Sequence, residues 1–424
     1  MIISPLRPTD SVRRLLIIRG DLRSRTGIAY DARAKMHLLD NDFDIVGVDV
    51  HPDPADRDEP FSYPIISDEE VPERLAKSQH RPVVLHHTPP DDFRGFPGAW
   101  NIGCFYWETD VAPRLRQWQA KIALMDAMWA PCSMIAGLIR SMGYAAPIHN
   151  IAWPFDFTQA RRSDPRLRQS INVRLFGDLA VRDFEIRNSS LAEARLSARN
   201  LFVTVQSMAA RKGLPILLRE WHTHLSEAGN SSDLLILRLA FRHASNLSGS
   251  PEADFASMLQ NAGFRSGQKT RIGIIAETLS HSELTELFQA SDAYVSTTLG
   301  EGFGGPLVEA IVNDRPVIVP RHTAMCDYIA PDYPLIVQSE RRIIGLRGGL
   351  SVYSPASSWH VPVSGNVASH LSAFVNMTAP ERAKLACDIR CYAAHFCSIP
   401  VVRHAMQSFF RGLFVEPQAQ TSPV

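Results

Sequence analysis

Short β-branched and aliphatic runs alternate with longer amphipathic stretches along most of this chain, the pattern expected of parallel sheets whose strands are joined by crossover helices. In the first half, strands are expected at Leu15 to Arg19, Ile45 to Val50, Val83 to His86, Asn101 to Tyr106 and Ala127 to Ala130. Helices are expected near Ile28 to Leu39, Arg114 to Met125 and Ser133 to Met142, with Pro147 to Phe157 as an exit segment. The second half repeats the scheme. Its strands fall at Leu201 to Val205, Leu234 to Ala240, Arg271 to Ile275, Ala293 to Ser296 and Pro316 to Val319. Its helices fall at about Arg211 to His224, Ser282 to Gln289 and Pro306 to Val312.

The fold class expected is therefore α/β, with two doubly wound Rossmann-like domains facing each other across a cleft. At 424 residues the chain is too long for one ordinary core. The domains expected are 1–157 and 158–399, with a last helix over 400–415 packing back on the first. Arg161 to Asn200, rich in arginine and serine, reads as a linker with an inserted helix, and Glu416 to Val424 as a frayed tail.

Lysine plus arginine equals aspartate plus glutamate at 44 each, so no global field favours a polyanion and a nucleic-acid partner is not expected. The apolar run Leu15 to Ile18 is far shorter than the core of a signal peptide, and nothing reaches the ~20 apolar residues of a membrane span. A cytoplasmic protein is expected. Six cysteines stand without a CxxC pair and read as reduced thiols; Cys387, Cys391 and Cys397 are expected to be packed in a helix rather than to hold a metal.

The segment Ser296 to Ala310, STTLGEGFGGPLVEA, carries most of the functional information. Gly302, Gly304 and Gly305 let the backbone turn sharply and approach a ligand. Pro306 sits where a helix begins, so amides from Phe303 to Leu307 are expected to form an anion site reinforced by the helix dipole. Glu301 and Glu309 flank it. Carboxylates beside an anion site repel phosphate, so their useful partners are the hydroxyls of a sugar and a ribose. The plain alternative makes Glu309 a helix N-terminal acid and Glu301 a solvated loop acid.

This segment resembles the signature of the GT-B retaining glycosyltransferases of the large family called group 1, or GT4. Neighbouring pieces agree in order and spacing: Ser280-His-Ser-Glu-Leu-Thr-Glu-Leu-Phe288 and Ser291-Asp-Ala-Tyr294 before it, Arg315-Pro-Val-Ile-Val-Pro320 after it. The match runs nearly continuously from about residue 200 to residue 330. It implies that Glu301 holds the hydroxyls of the transferring sugar and Glu309 the ribose. Gly302, Phe303, Gly304, Gly305 and Leu307 then cradle the diphosphate of a UDP-, GDP- or dTDP-sugar.

Without a metal, charge on the departing phosphate must be met by fixed cations and helix-end amides. Arg211 and Lys212, just after a strand, are placed for this. The family has a lysine there with an arginine a few residues earlier; here Gln206 and Ser207 occupy that earlier region, so Lys212 carries over and Arg211 does not carry over residue for residue. Asp42-Phe-Asp44 spells a metal-binding pair but precedes its strand, on the wrong side for a ligand at a carboxyl edge, and reads as a solvated turn. No metal and no cofactor are expected.

In the first domain Val83 to Pro90 ends a strand in His86 and His87 before a rigid loop, where active-site groups project from parallel sheets. His87 resembles a histidine near the donor sugar in related enzymes, although it reads almost equally as a capped structural histidine and His86 can be the one that faces the cleft. The catalytic set is then His87, Lys212 and Glu301. Trp107 and Glu108 read either as holding an acceptor sugar's face and hydroxyl or as simply packing. Arg25 and Gly27 lie in a first loop where the family has a glycine-containing acceptor segment, Arg23 and Arg25 reading equally as solvated charges.

The resemblance implies a retaining transfer of a hexose-type sugar to a hydroxyl acceptor, a growing bacterial polysaccharide or a lipid-linked glycan, with peripheral membrane association. Alternatives are a nucleotide-sugar epimerase or phosphorylase of the same architecture, and an inactive sugar-nucleotide-binding protein. Val337 to Val363, containing Trp359, and Arg161 to Asn200 depart from the family and are expected to hold specificity.

Overall fold

The computed structural model describes residues 13–50, 60–158, 165–179, 184–229, 232–240, 251–265, 267–345 and 353–414. The expected frayed tail lies outside them, as do 161–164 and 180–183 of the expected linker and 346–352 of the Val337 to Val363 segment. The chain divides into two compact units: 1–154 with Val352–Ser354 and 395–424, and 155–351 with 355–394.

The first unit runs β1 (Arg14–Gly20), α1 (Gly27–Leu39), β2 (Phe43–Asp49), α2 (Val71–Ala76), β3 (Val83–His87), β4 (Trp100–Cys104), α3 (Leu115–Ile122), β5 (Ala127–Ala130), α4 (Ser133–Ser141) and β6 (Ile148–Asn150). Among the described residues its sheet has the order β2-β1-β3-β4-β5-β6 and is parallel throughout. β3 and β5 are buried along their whole length, as a parallel sheet covered on both faces requires. The expected exit segment therefore contains a sixth strand, β6. It is short and lies at the sheet edge, half-buried or exposed along its length, which is why its sequence carries no apolar run.

The second unit runs α5 (Pro165–Ser170), β7 (Asn172–Leu179), β8 (Phe184–Ser190), α6 (Leu191–Leu196), β9 (Leu201–Ser207), α7 (Leu214–Glu227), β10 (Leu234–Ala240), α8 (Pro251–Asn261), β11 (Lys269–Ile275), α9 (His281–Ala290), β12 (Ala293–Val295), α10 (Gly305–Val312), β13 (Val317–Pro320), α11 (Met325–Tyr328), β14 (Ile336–Val337), β15 (Ser339–Ile343), β16 (Ser358–Pro362) and α12 (Asn366–Val375). α13 (Ala379–Cys397) and α14 (Ile399–Phe414) close the chain. The order is β14-β13-β12-β9-β10-β11-β7-β8, parallel from β14 to β11. The expected linker is corrected here: β7 pairs antiparallel with β11, and β8 with β7, so the segment extends the sheet edge. β15 and β16 form a separate antiparallel pair within the Val337 to Val363 segment.

Three further expectations change. Asp42 is only 8% exposed and accepts from Gln407 Nε2 at 3.2 Å, so it is a buried packing acid, not part of a solvated turn. Cys387 and Cys391 are exposed on α13 and only Cys397 is buried, because an apolar period set by alanine and leucine leaves the two cysteines on the outer face. The helix expected from Arg211 is interrupted. Ala210–Lys212 is a single 3₁₀ turn, Gly213 takes a left-handed conformation at φ 68°, and α7 starts at Leu214 with Pro215 in its first turn.

α14 belongs to the first unit through its aromatic face. Phe410 is fully buried, 4.6 Å from the Phe43 ring of β2 and 5.7 Å from Trp129 of β5. Truncation to alanine leaves a ring-sized void, so Phe410→Ala is expected to lose about 3–5 kcal/mol in urea unfolding. A loss below 1 kcal/mol would show that α14 does not build this core.

Candidate active site

In a doubly wound sheet, ligands bind outside the carboxyl ends of the strands where the strand order reverses. In the second unit that point lies between β9 and β12: β10 and β11 follow on one side, β13 and β14 on the other. The 3₁₀ turn after β9 and the glycine-rich bend after β12 both start there, and hydrogen bonds join them. Leu299 N donates to Arg211 O at 2.7 Å, and Thr297 Oγ1 to Gly213 O at 2.9 Å.

This stitching brings the expected cations onto the expected acid. Lys212 Nζ lies 2.5 Å from Glu301 Oε1 and Arg211 Nη1 3.3 Å from Oε2, while Arg211 also donates to Gly300 O at 3.2 Å. Thr298 Oγ1 adds a hydrogen bond to Oε1 at 2.9 Å. Burial opposes ionisation of Glu301, but the charges of Lys212 and Arg211 outweigh it and hold the carboxyl down at about 2. Two cations facing one carboxylate leave an excess positive charge, which suits an arriving anion.

α10 begins beside this group. Gly304 takes φ 92° at its N-cap, and Gly305 opens the helix with Pro306 in the first turn. Leu307 N is occupied by Gly304 O at 3.0 Å, and Pro306 has no amide hydrogen, so the expected five-residue cradle is narrower. Among the described residues the amides of Gly304 and Gly305 have no acceptor. Phe303 is a buried anchor, its ring stacked 6.1 Å from Phe155 and its carbonyl accepting from Tyr328 Oη at 2.5 Å. Glu309 is half-buried, 4.0 Å from His281 Nδ1 at the start of α9.

Sequence reasoning missed the residues that brace Glu301 from behind. Its amide donates to Thr323 Oγ1 at 3.1 Å, and the buried His322 contacts Thr298 O at 3.0 Å and stacks 4.6 Å from His360 of β16. Burial, then the neighbouring His360, hold His322 neutral with a pKa near 3. His360 N also donates to Leu299 O at 2.9 Å, so β16 is tied to the bend. The Thr-Thr pair at 297 and 298 was the available signal; nothing in the sequence marked His322.

The first unit has its own reversal point between β1 and β3, since β2 lies to one side and β4 to the other. Gly20 and His87 are register partners there, and a Cβ on Gly20 would lie 3.0 Å from His87 O. His86 and His87 point to opposite faces. His86 Nδ1 accepts from Arg19 at 3.2 Å and the ring stacks with Phe96; burial and the Arg19 charge push it down to about 3. His87 is 1% exposed and its Nε2 lies 2.6 Å from Asp31 of α1. Burial opposes its charging, but Cys104 and Asp31 outweigh that, and its pKa rises to about 9.

Arg25 is exposed in the loop after β1, and Gly27 opens α1 where a Cβ would meet the Trp153 ring at 3.1 Å. Trp107 packs edge-on to Trp118 at 5.1 Å and lies 5.3 Å from Tyr353, whose hydroxyl donates to Glu108 at 3.2 Å. Tyr353 was not foreseen as a neighbour of Glu108, being far away in sequence. Among the described residues no cluster of three or more His, Cys, Asp or Glu side chains could hold a metal.

No family model matches the sequence, and comparison with curated proteins finds no match. Solved structures do share its fold. A Candida albicans trehalose-6-phosphate phosphatase N-terminal domain aligns over 94% of this chain and 99% of its own, at 9% identity and TM-score 0.61. An E. coli structure described as trehalose-6-phosphate bound with UDP-2-fluoro glucose aligns over 95% and 99%, at 12% identity and TM-score 0.61. A UDP-forming α,α-trehalose-phosphate synthase from Burkholderia xenovorans in complex with glucose-6-phosphate aligns over 94% and 99%, at 12% identity and TM-score 0.60. Such likenesses span nearly the whole chain, and the fold they show is GT-B: two Rossmann-like α/β units built on parallel sheets.

Proposed function

We propose that this protein is a retaining glycosyltransferase that moves a hexose-type sugar from a nucleotide diphosphate donor to a hydroxyl acceptor. One observation carries the reading: Arg211, Lys212, Glu301 and the open amides of Gly304 and Gly305 meet at the carboxyl-end reversal point of the second sheet. The donor diphosphate binds those amides and cations, and Lys212 meets the charge that develops on the departing phosphate. Glu301 takes the sugar hydroxyls and Glu309 the ribose. No step requires a metal.

The signature in Ser296 to Ala310 supports membership of the group 1, or GT4, family and retention of anomeric configuration. His87 acts as a catalytic residue toward the sugar, while Trp107, Glu108, Arg25 and Gly27 serve the acceptor. The acceptor is a glycan, either a growing polysaccharide or a lipid-linked chain at the inner face of the membrane. The glucose-6-phosphate held by the Burkholderia protein supports a second acceptor class, a free sugar phosphate. Six cysteines, none in a disulfide among the described residues, fit a reducing, cytoplasmic setting.

Thermal-shift screening against UDP-glucose, GDP-mannose and dTDP-glucose identifies the donor. Titration calorimetry with that donor then tests the site: Lys212→Ala and Glu309→Ala are each expected to weaken binding by about 10- to 100-fold, the scale of losing one charge-assisted hydrogen bond. Unchanged affinity in both variants removes the assignment. Donor consumption only in the presence of a hydroxyl acceptor separates transfer from epimerisation, and slow donor hydrolysis separates it from an inactive binding protein.

A further inference from the structure

A buried ionic cluster stands behind His87 in the first unit. Asp31, on α1, is fully buried, and its Oδ2 alone receives three donors: Lys35 Nζ one turn along the helix, the Tyr106 hydroxyl, and His87 Nε2 at 2.6 Å. Lys35 is also fully buried and His87 nearly so. Asp31 Oδ1 is buried with no hydrogen-bond partner among the described residues. Cys104, at the end of β4, is the other titratable group that faces His87, and Cys132 the other that faces Tyr106.

A carboxylate crowded onto one oxygen while the other stands unpaired is a poor way to stabilise a core, since apolar packing would avoid desolvating two opposite charges. Departures of this kind from local packing rules concentrate at functional sites. The chemistry of the donors also fixes the ring. Lysine can only donate, and an ionised carboxylate can only accept, so the imidazole atom at Asp31 must carry its proton there. Nδ1 is then the atom whose state changes with protonation.

We infer that Asp31, held by Lys35 and Tyr106, is a positioning residue that clamps His87 through Nε2 and leaves Nδ1 as the atom that titrates. The inference rests on the proposed role of His87 and specifies how that side chain works.

Two-bond nitrogen–proton correlation spectra of the full chain labelled with [15N]histidine test the clamp directly, the His87 signals being identified by their loss in His87→Gln. Nε2 is expected to stay protonated across the pH range while Nδ1 alone titrates. Asp31→Asn is expected to lower that titration midpoint by at least one pH unit. Should Asp31→Asn fail to fold, Tyr106→Phe removes a competing donor from the carboxylate and is expected to raise the midpoint. A neutral ring protonated at Nδ1, or a midpoint that ignores these substitutions, overturns the inference.

Turnover of UDP-glucose, or of the donor selected by thermal shift, separates the two levels of argument. Asp31→Asn is expected to lower kcat by 10- to 100-fold with donor KM unchanged, with partial rescue in Asp31→Glu. A His87→Gln variant with normal kcat removes His87 from catalysis and leaves the clamp to be decided by the spectra. Loss of kcat in His87→Gln with a normal kcat and pH profile in Asp31→Asn overturns the positioning role alone.

Discussion

Glu301→Gln is expected to lower glycosyl transfer by ~100- to 1,000-fold, the scale seen when one preorganised electrostatic contact to a transition state is lost. The substitution keeps the side chain's size and leaves an oxygen for Thr298. It removes the charge that Lys212 and Arg211 share, so both cations lose the partner that aims them. Stability changes with it. The folded pKa of Glu301, about 2, lies below its ordinary 4.5, so its contribution is fully present above pH 4.5 and fades as the pH falls toward 2. A gap of that size corresponds to roughly 3 kcal/mol. Wild-type acid unfolding should therefore steepen between pH 4.5 and 2, and the glutamine variant should lack that component. Near-normal transfer in a folded Glu301→Gln protein would take this residue out of the reaction.

Gly213→Ala is expected to be the most damaging small substitution at the site. Alanine at φ 68° costs roughly 1 kcal/mol in backbone strain alone. Its Cβ would also lie 2.2 Å from the Thr297 carbonyl oxygen, a backbone atom that cannot rotate away. Either the 3₁₀ turn or the end of β12 has to move, and the bonds from Leu299 to Arg211 and from Thr297 to Gly213 break together. Urea unfolding should show a loss of about 3–5 kcal/mol, with donor binding lost even where the chain still folds. Gly137→Ala is the control: it lies in α4 with open space around its Cβ, and should be neutral or slightly stabilising. Equal behaviour of the two variants would show that the turn is not held as described.

The central strands were legible from sequence because they are buried on both faces and so read as unbroken apolar runs; β5 and β10 fall at the expected residues, Ala127–Ala130 and Leu234–Ala240. The edges were not. Ile186 of β8 is 42% exposed and β6 is half-buried or exposed along its length, so these strands carry too few apolar residues to stand out from a loop. The same holds for β15, whose side chains are mostly exposed.

At the site, the glycines and the proline of the bend were legible because each residue type answers a local backbone demand. What Arg211 and Lys212 touch was not, since their meeting with Glu301 depends on β9 and β12 lying side by side some 90 positions apart. The broken helix was within reach: Gly213-Leu-Pro215 marks a start after the cations, yet Arg211 and Lys212 are good helix formers and masked it. Asp31 gave no signal at all, because its three donors come from its own helix, from β3 and from the loop after β4.

The first unit draws on stretches of chain far apart in sequence, and this shapes how it can be made. Its strands are complete by Pro154, but its last segment begins only at His395, after some 240 intervening residues. At ~5–20 residues per second a ribosome needs about 12–48 s to cover that interval. Throughout it, Phe43 and Trp129 lack the aromatic cover that Phe410 supplies. Over that interval the nascent lobe keeps a greasy seam open to solvent, and α14 is the bolt that shuts it.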